Sequence, residues 1–254
     1  MKKNIKNIYG VLLKWQKQNL YNITGHSNYK KFVIISTART GSTLLATLLN
    51  SHQNIICEGE IFKNLNGKSC SKIWQEFFSK KPKKIHQVGF KLFYFHPYDE
   101  DKDVWNIINN DKTITIIHLK RKNLLRIFLS QKIGLKTKLW TDNINRPNNL
   151  SLNTKKVTLD YHACIGAFEE IEDYENITRL NFQRHNYLEV YYEDLIENRQ
   201  LEINRILSSL NLPVDVLTAN NKQQNPEGLN ELINNYSELK IKFENSKWEY
   251  LFEE

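Results

Sequence analysis

The feature that most constrains this chain is a short apolar run, Phe32-Val33-Ile34-Ile35. It passes directly into Ser36-Thr37-Ala38-Arg39-Thr40-Gly41-Ser42-Thr43 and then into a second apolar stretch, Leu44 to Leu49. A continuous run with no polar alternation reads as a strand buried on both faces, the kind found in parallel sheets. A small-residue turn that leaves such a strand and opens a helix offers an anion two things: unpaired backbone N–H groups and the positive end of the helix. Gly41 allows the backbone to approach a phosphate oxygen closely. Ser42 and Thr43 supply hydroxyls, and Arg39 supplies a planar fork of charged donors. The Walker pattern GxxxxGK followed by Ser or Thr is missing, because Ser36 stands where its first glycine belongs and no lysine follows Gly41. That speaks against an ordinary ATP or GTP site.

Further strands are expected at 54–57, 88–95, 114–119 and 187–192, with helices at about 71–79, 102–109, 123–134, 158–175, 198–210 and 228–239. Alternation of this kind predicts an α/β fold: a single P-loop-like domain with a central parallel sheet and helices on both faces. The domain is expected over 31–254. The segment 138–156, rich in asparagine with Pro147, reads as a long surface loop of the sort that forms lids and binding loops.

Net charge +8 suggests a nucleic-acid binder until the charge is located. Residues 1–31 hold seven lysines and no acidic residue, so the other 223 residues carry 29 basic against 28 acidic side chains. A nearly neutral domain is not the footprint of a nucleic-acid surface. Within residues 1–30, Ile5, Ile8, Tyr9, Leu12 and Leu20 fall near one helical face. Such a basic amphipathic segment either docks on its own domain or makes peripheral contact with an anionic membrane, and both readings stay open. The apolar stretch behind Met1-Lys2-Lys3 is broken by Lys14 and Lys17, unlike a signal peptide, and no apolar run approaches the roughly 18–20 residues of a spanning helix. Cys57, Cys70 and Cys164 have no disulfide-framework or CxxC spacing, so a cytoplasmic chain with reduced thiols and no bound metal is expected. Oligomeric state is not legible.

A second constellation lies further on. The strand ending His118-Leu119 runs into Lys120-Arg121-Lys122-Asn123, and the following helix carries Arg126 and Ser130, with Asn123 placed as its N-cap. Arg121 at a strand's carboxyl end, and Ser130 nine residues later, are positioned for a second phosphate. Two phosphate sites without a Walker lysine suggest a nucleotide phosphorylated at both ends of its ribose.

These residues resemble a family. Ala38-Arg39-Thr40-Gly41-Ser42-Thr43-Leu44 is similar to the 5′-phosphosulfate loop of bacterial carbohydrate sulfotransferases of the nodulation-factor and trehalose type. His118-Leu119-Lys120-Arg121 with Ser130 is similar to their 3′-phosphate motif. Gly59-Glu60, Tyr192-Glu193-Asp194-Leu195 and Lys222-Gln223 are weaker echoes, and together the likeness runs from about 32 to 250. In cytosolic relatives a lysine stands where this chain has Arg39, which keeps the cation but does not readily give up a proton.

The resemblance implies sulfuryl transfer from 3′-phosphoadenosine 5′-phosphosulfate (PAPS) to a hydroxyl or amine of a small polar acceptor, a saccharide or a natural product, leaving 3′,5′-ADP. Donor binding would fall to Arg39, Thr40, Gly41, Ser42, Thr43, Arg121, Ser130 and Lys222. Glu60 is the first candidate for general base, with Glu58 close by and His96 and His118 as rivals. His96 ends a strand at a position open to a cleft. Lys91 interrupts an apolar strand and so needs a partner: the sulfonate or a carboxylate. A nucleotide-dependent kinase and a non-catalytic PAPS-binding protein are the alternatives.

Overall fold

The computed structural model describes residues 20–99, 101–140, 150–221 and 223–253. The chain runs β1 (Lys30–Ser36), α1 (Ser42–Ser51), β2 (Ile55–Glu58), α2 (Cys70–Phe77), β3 (Gln87–Phe93), α3 (Asp103–Asn110), β4 (Thr115–Lys120), α4 (Leu124–Thr137), α5 (Leu152–Lys155), α6 (Tyr161–Phe182), β5 (Asn186–Tyr191), α7 (Tyr192–Glu197), α8 (Arg199–Ser209), α9 (Leu229–Leu232) and α10 (Tyr236–Phe243). The five strands form one sheet in the order β2-β3-β1-β4-β5, and every adjacent pair is parallel.

The apolar run in β1 explains why this strand is central. Phe32 and Ile34 pack with Leu45, Leu48 and Leu49 of α1 and Ile206 of α8 on one face. Val33 and Ile35 pack on the other face, with Phe90 and Leu92 of β3 and Ile108 of α3. All four β1 side chains have no exposed surface. Each contributes about 1.5–3 kcal/mol of burial, so the alternate residues anchor helices to both faces. β1 and β3 approach so closely at Gly89 that a Cβ there would lie 2.4 Å from the Phe32 carbonyl oxygen. A third apolar cluster joins α4, α6 and α10 through Phe128, Phe168 and Phe243.

The strand order reverses beside β1: the chain leaves β1 toward β2, on one side, and leaves β4 toward β5, on the other. The carboxyl ends of β1 and β4 therefore flank the crevice where ligands of open α/β sheets bind.

Two expectations change. The helix read over 228–239 is split into α9 and α10, because Val157 N–H donates to Leu232 O (2.9 Å) and Asn234 N–H donates to Val157 O (2.9 Å). Those bonds draw the backbone out of the helix. The long loop 138–156 contains the short α5, whose N-cap Ser151 accepts from Thr154 N–H; its central residues 141–149 lie outside the described residues. So do residues 1–19 of the amphipathic segment and Lys222. Among the described residues no helix is long and apolar enough to cross a membrane.

Candidate active site

A cleft of about 480 Å³ opens at the carboxyl ends of β1 and β4, and Arg39, Gly41, Thr43, Glu60, Arg121 and Ser130 all contribute to its lining. Its floor is the turn between β1 and α1. Gly41 is the N-cap of α1 at φ 84°, and no side chain caps this helix end. A Cβ at Gly41 would lie 2.4 Å from Cδ2 of the Tyr192 ring, so the glycine meets both a left-handed backbone and a wall. Ser42 is buried and Thr43 exposed at the first turn of α1. The Thr40 hydroxyl turns inward and donates to Thr37 O (2.9 Å), bracing the turn from behind, so only the Thr40 backbone is left for a ligand.

Arg39, at φ 72°, sends its side chain across the cleft. Nε donates to Ser130 Oγ (2.8 Å), Nη1 to Trp140 O (2.7 Å) and Nη2 to Gln224 Oε1. Arg121 Nη1 donates to Arg39 O (3.1 Å), and its guanidinium lies 4.6 Å from the centre of the Tyr192 ring. The structure thus brings Arg39, Arg121 and Ser130 together from β1, β4 and α4. Burial, and then the charge of Arg121, lower the Arg39 pKa to about 10. Burial also lowers that of Arg121. Both remain cations at neutral pH, crowded in a way that a bound anion relieves.

The Tyr192-Glu193-Asp194 stretch holds these pieces in place. Tyr192 walls the turn at Gly41, while the Glu193 carboxylate accepts from Lys122 N–H (2.9 Å) and Asn123 N–H (3.4 Å) and pairs with Arg121 Nε at 3.7 Å. Asn123 caps α4 as expected, its side chain accepting from Arg126 N–H (2.9 Å). Among the described residues Arg121 Nε has no hydrogen-bond partner, and neither has the buried Asn221 Oδ1 in the cleft wall.

At the other end of the cleft, Lys91 Nζ donates to Thr43 Oγ1 (3.1 Å) and Glu60 Oε1 (3.4 Å). The Lys91 side chain is 7% exposed, so the carboxylate partner expected for it is there, and it is Glu60. The strand β2 ends in a two-point clamp, with Cys57 N–H donating to Asn50 Oδ1 (2.8 Å) and Asn50 Nδ2 donating to Cys57 O (2.5 Å). Gly59 O then accepts from Lys91 N–H (3.2 Å), which ties the Glu60 turn to β3. Glu58 is the last residue of β2 and does not line the cleft.

The histidines stand back. His96 does not lie open to the cleft: it is wholly buried, with Phe93, Phe95 and Tyr98 around it at ring separations of 5.0–5.2 Å. Its Nδ1 accepts from Phe93 N–H (3.3 Å), its Nε2 has no hydrogen-bond partner among the described residues, and burial lowers its pKa to about 4. His118 is wholly buried between the hydroxyls of Tyr94 (2.7 Å) and Tyr187 (2.5 Å), and burial takes its pKa to about 3. The sequence reading missed Tyr192 as a wall and missed Asn221 and Gln224. The only signals were the Tyr192-Glu193 echo and the proximity of 221 and 224 to Lys222.

No family model matches the chain. Nodulation protein H of Rhizobium tropici is 23% identical over 241 residues, covering 87% of this chain and 92% of that protein. Nodulation protein H of Rhizobium meliloti (strain 1021) is 22% identical over 237 residues, covering 87% and 94%. Among solved structures, a sulfotransferase from Alicyclobacillus acidocaldarius aligns with TM-score 0.47 at 13% identity, covering 84% of this chain and 90% of the other. A mouse sulfotransferase complexed with PAP aligns with TM-score 0.39 at 16% identity, covering 78% and 64%. The fold is a P-loop-like α/β domain, and its cleft at the strand ends holds two cations, Arg39 and Arg121. The chain is a distant relative of nodulation protein H.

Proposed function

We propose that this protein is a PAPS-dependent sulfotransferase acting on a hydroxyl or amine of a small polar acceptor. The observation that carries the proposal is the meeting of two cations from adjacent strand ends in one cleft without a Walker lysine: Arg39 donates to Ser130 Oγ, and Arg121 donates to Arg39 O. The residues fit a doubly phosphorylated nucleotide. The uncapped α1 terminus beneath Gly41 suits one phosphate, while Arg121 Nε makes no hydrogen bond among the described residues and has the Glu193 carboxylate only as an ion-pair partner at 3.7 Å. The buried Asn221 Oδ1 is an acceptor in want of a donor. The distant kinship to nodulation protein H, over most of both chains, supports the same reading.

The donor supplies an activated sulfuryl group, whose sulfur–oxygen bond to the 5′-phosphate breaks as the acceptor's bond to sulfur forms. The chain's own residues then divide the work. Amides of the 40–43 turn hold the 5′-phosphate. Arg121 and Ser130 take the 3′-phosphate, which requires Arg39 Nε to share or release Ser130 Oγ. Arg39 stays a cation throughout and acts by charge, not by proton donation. Lys91, fixed between Thr43 and Glu60, stabilises negative charge on the oxygens at the point of transfer. Glu60 Oε accepts the acceptor's proton. The fully buried His96, with Nδ1 bonded to the backbone, shapes the wall behind Phe93 and Phe95. Among acceptors, a saccharide hydroxyl is favoured by the aromatic side chains that line this end of the cleft, Phe95 and the exposed Tyr98, stacked 5.6 Å apart.

Thermal-shift measurements with nucleotides test the proposal. Metal-free 3′,5′-ADP should stabilise the protein far more than 5′-AMP, and Arg121→Ala should erase the difference, a loss of roughly 1.5–3 kcal/mol for a charged hydrogen bond. Equal affinity for the two nucleotides, or stabilisation by Mg-ATP instead, would refute the assignment.

A further inference from the structure

A second cavity, of about 390 Å³, lies between α3 and α6 and shares no lining residue with the donor cleft. The end of β3 separates the two: Phe93 and Phe95 line the cleft, and Tyr94 lines the second cavity. We propose that this groove is a non-catalytic binding site for a neutral saccharide unit.

Its rings are held rigidly. Tyr94 and Tyr174 stack at 5.3 Å and 17°, the Tyr94 hydroxyl is fixed on His118 (2.7 Å), and Trp105 Nε1 donates to His96 O (2.8 Å). These aromatic surfaces present flat apolar faces whose orientation needs no rearrangement on binding.

The polar lining is uncharged. Asn106 and Asn109 of α3 face Thr178 and Asn181 of α6, and no Asp, Glu, Lys, Arg or His is among the lining residues. Thr178 is only 4% exposed. Neither its hydroxyl nor the Asn181 amide makes a hydrogen bond among the described residues. The Thr178 hydroxyl, on a residue otherwise buried, opens into the cavity with no protein partner among the described residues, and so is free to meet a ligand. A charged ligand would find no counter-charge here, and a purely apolar one would strand Thr178 and the amides. A pyranose ring meets both conditions: its C–H face lies on an aromatic ring, and its hydroxyls both donate to and accept from amides and a threonine. The groove's position behind the acceptor wall suits a saccharide held beside the transfer centre, though the proposal stands without the sulfuryl-transfer reading.

The test is saturation-transfer NMR on the full chain, with cellobiose and methyl β-glucoside as probes and benzyl alcohol as the apolar control. Saturation transfer to the sugars is expected. Thr178→Val and Asn181→Leu should each weaken binding roughly three- to tenfold, with melting temperature and 3′,5′-ADP affinity unchanged. Asn181 is exposed, so its variant keeps the test usable if Thr178→Val fails to fold. The proposal is overturned by no transfer to either sugar, by transfer to benzyl alcohol alone, or by sugar binding indifferent to both substitutions. Persistence of sugar binding in a protein that fails to bind 3′,5′-ADP would sink the donor assignment and leave this one standing.

Discussion

Gly41→Ala tests how the floor of the cleft is built. The added methyl meets two penalties: a backbone held at φ 84°, and the Tyr192 ring at 2.4 Å. The left-handed backbone costs about 1–2 kcal/mol for an alanine. The overlap adds about 1–3 kcal/mol, because the near atoms are Cδ2 and Cε2 of a ring already engaged by Arg121, not the free end of a flexible chain. A loss of about 2–5 kcal/mol is therefore expected in urea unfolding. The two parts separate in a double-mutant cycle with Tyr192→Ala, which removes the clash and leaves the backbone cost. The double variant should be about 1–3 kcal/mol more stable than the sum of the single effects predicts. The single Gly41→Ala variant should also bind 3′,5′-ADP more weakly, since moving Tyr192 disturbs Arg121. Strict additivity, within about 0.5 kcal/mol, would refute the claim that Tyr192 presses on the turn.

Other outcomes follow from the same geometry. Glu60→Gln should leave 3′,5′-ADP affinity unchanged in calorimetry while turnover falls roughly 10²–10⁴-fold; Arg39→Ala should lower both, and parental turnover in Glu60→Gln would remove that residue from the mechanism. Because burial holds the pKa of His96 at about 4 and of His118 at about 3, the unfolded chain binds more protons below its ordinary histidine value of about 6.5. Stability should accordingly be full above that value and fall as pH drops from about 6.5 toward 4, by about 1.4 kcal/mol for each pH unit and each histidine. Urea titrations at several pH values check this, and the slope should shrink in His118→Gln; a pH-independent midpoint would contradict the burial argument.

Much of the sheet is legible because β1 is buried on both faces and has no reason to alternate, and because Gly41 and Asn123 mark the openings of α1 and α4. The strand ends that face the cleft follow from that alternation of strand and helix. Side-chain direction does not. Nothing in the spacing of Arg39 shows that it crosses to Ser130, 91 positions away, and not toward Thr43. Likewise His96 sits next to Pro97 in a stretch that looks open, yet three rings enclose it. Thr40 points inward because its hydroxyl braces the turn on Thr37 O. The α9–α10 break depends on Val157, from a distant segment, whose backbone bonds outcompete the helix. The groove between α3 and α6 is invisible for a related reason: its polar residues belong to two helices that only the fold brings together.

The most direct test of sulfuryl transfer is mass spectrometry of saccharide and polar natural-product acceptors incubated with this protein and PAPS, without added metal. A sulfate adduct should appear together with 3′,5′-ADP, and both should be lost in Arg121→Ala. Absence of any adduct across such a panel, from protein that also fails to bind 3′,5′-ADP, would contradict the account, as would a phosphate adduct formed from Mg-ATP.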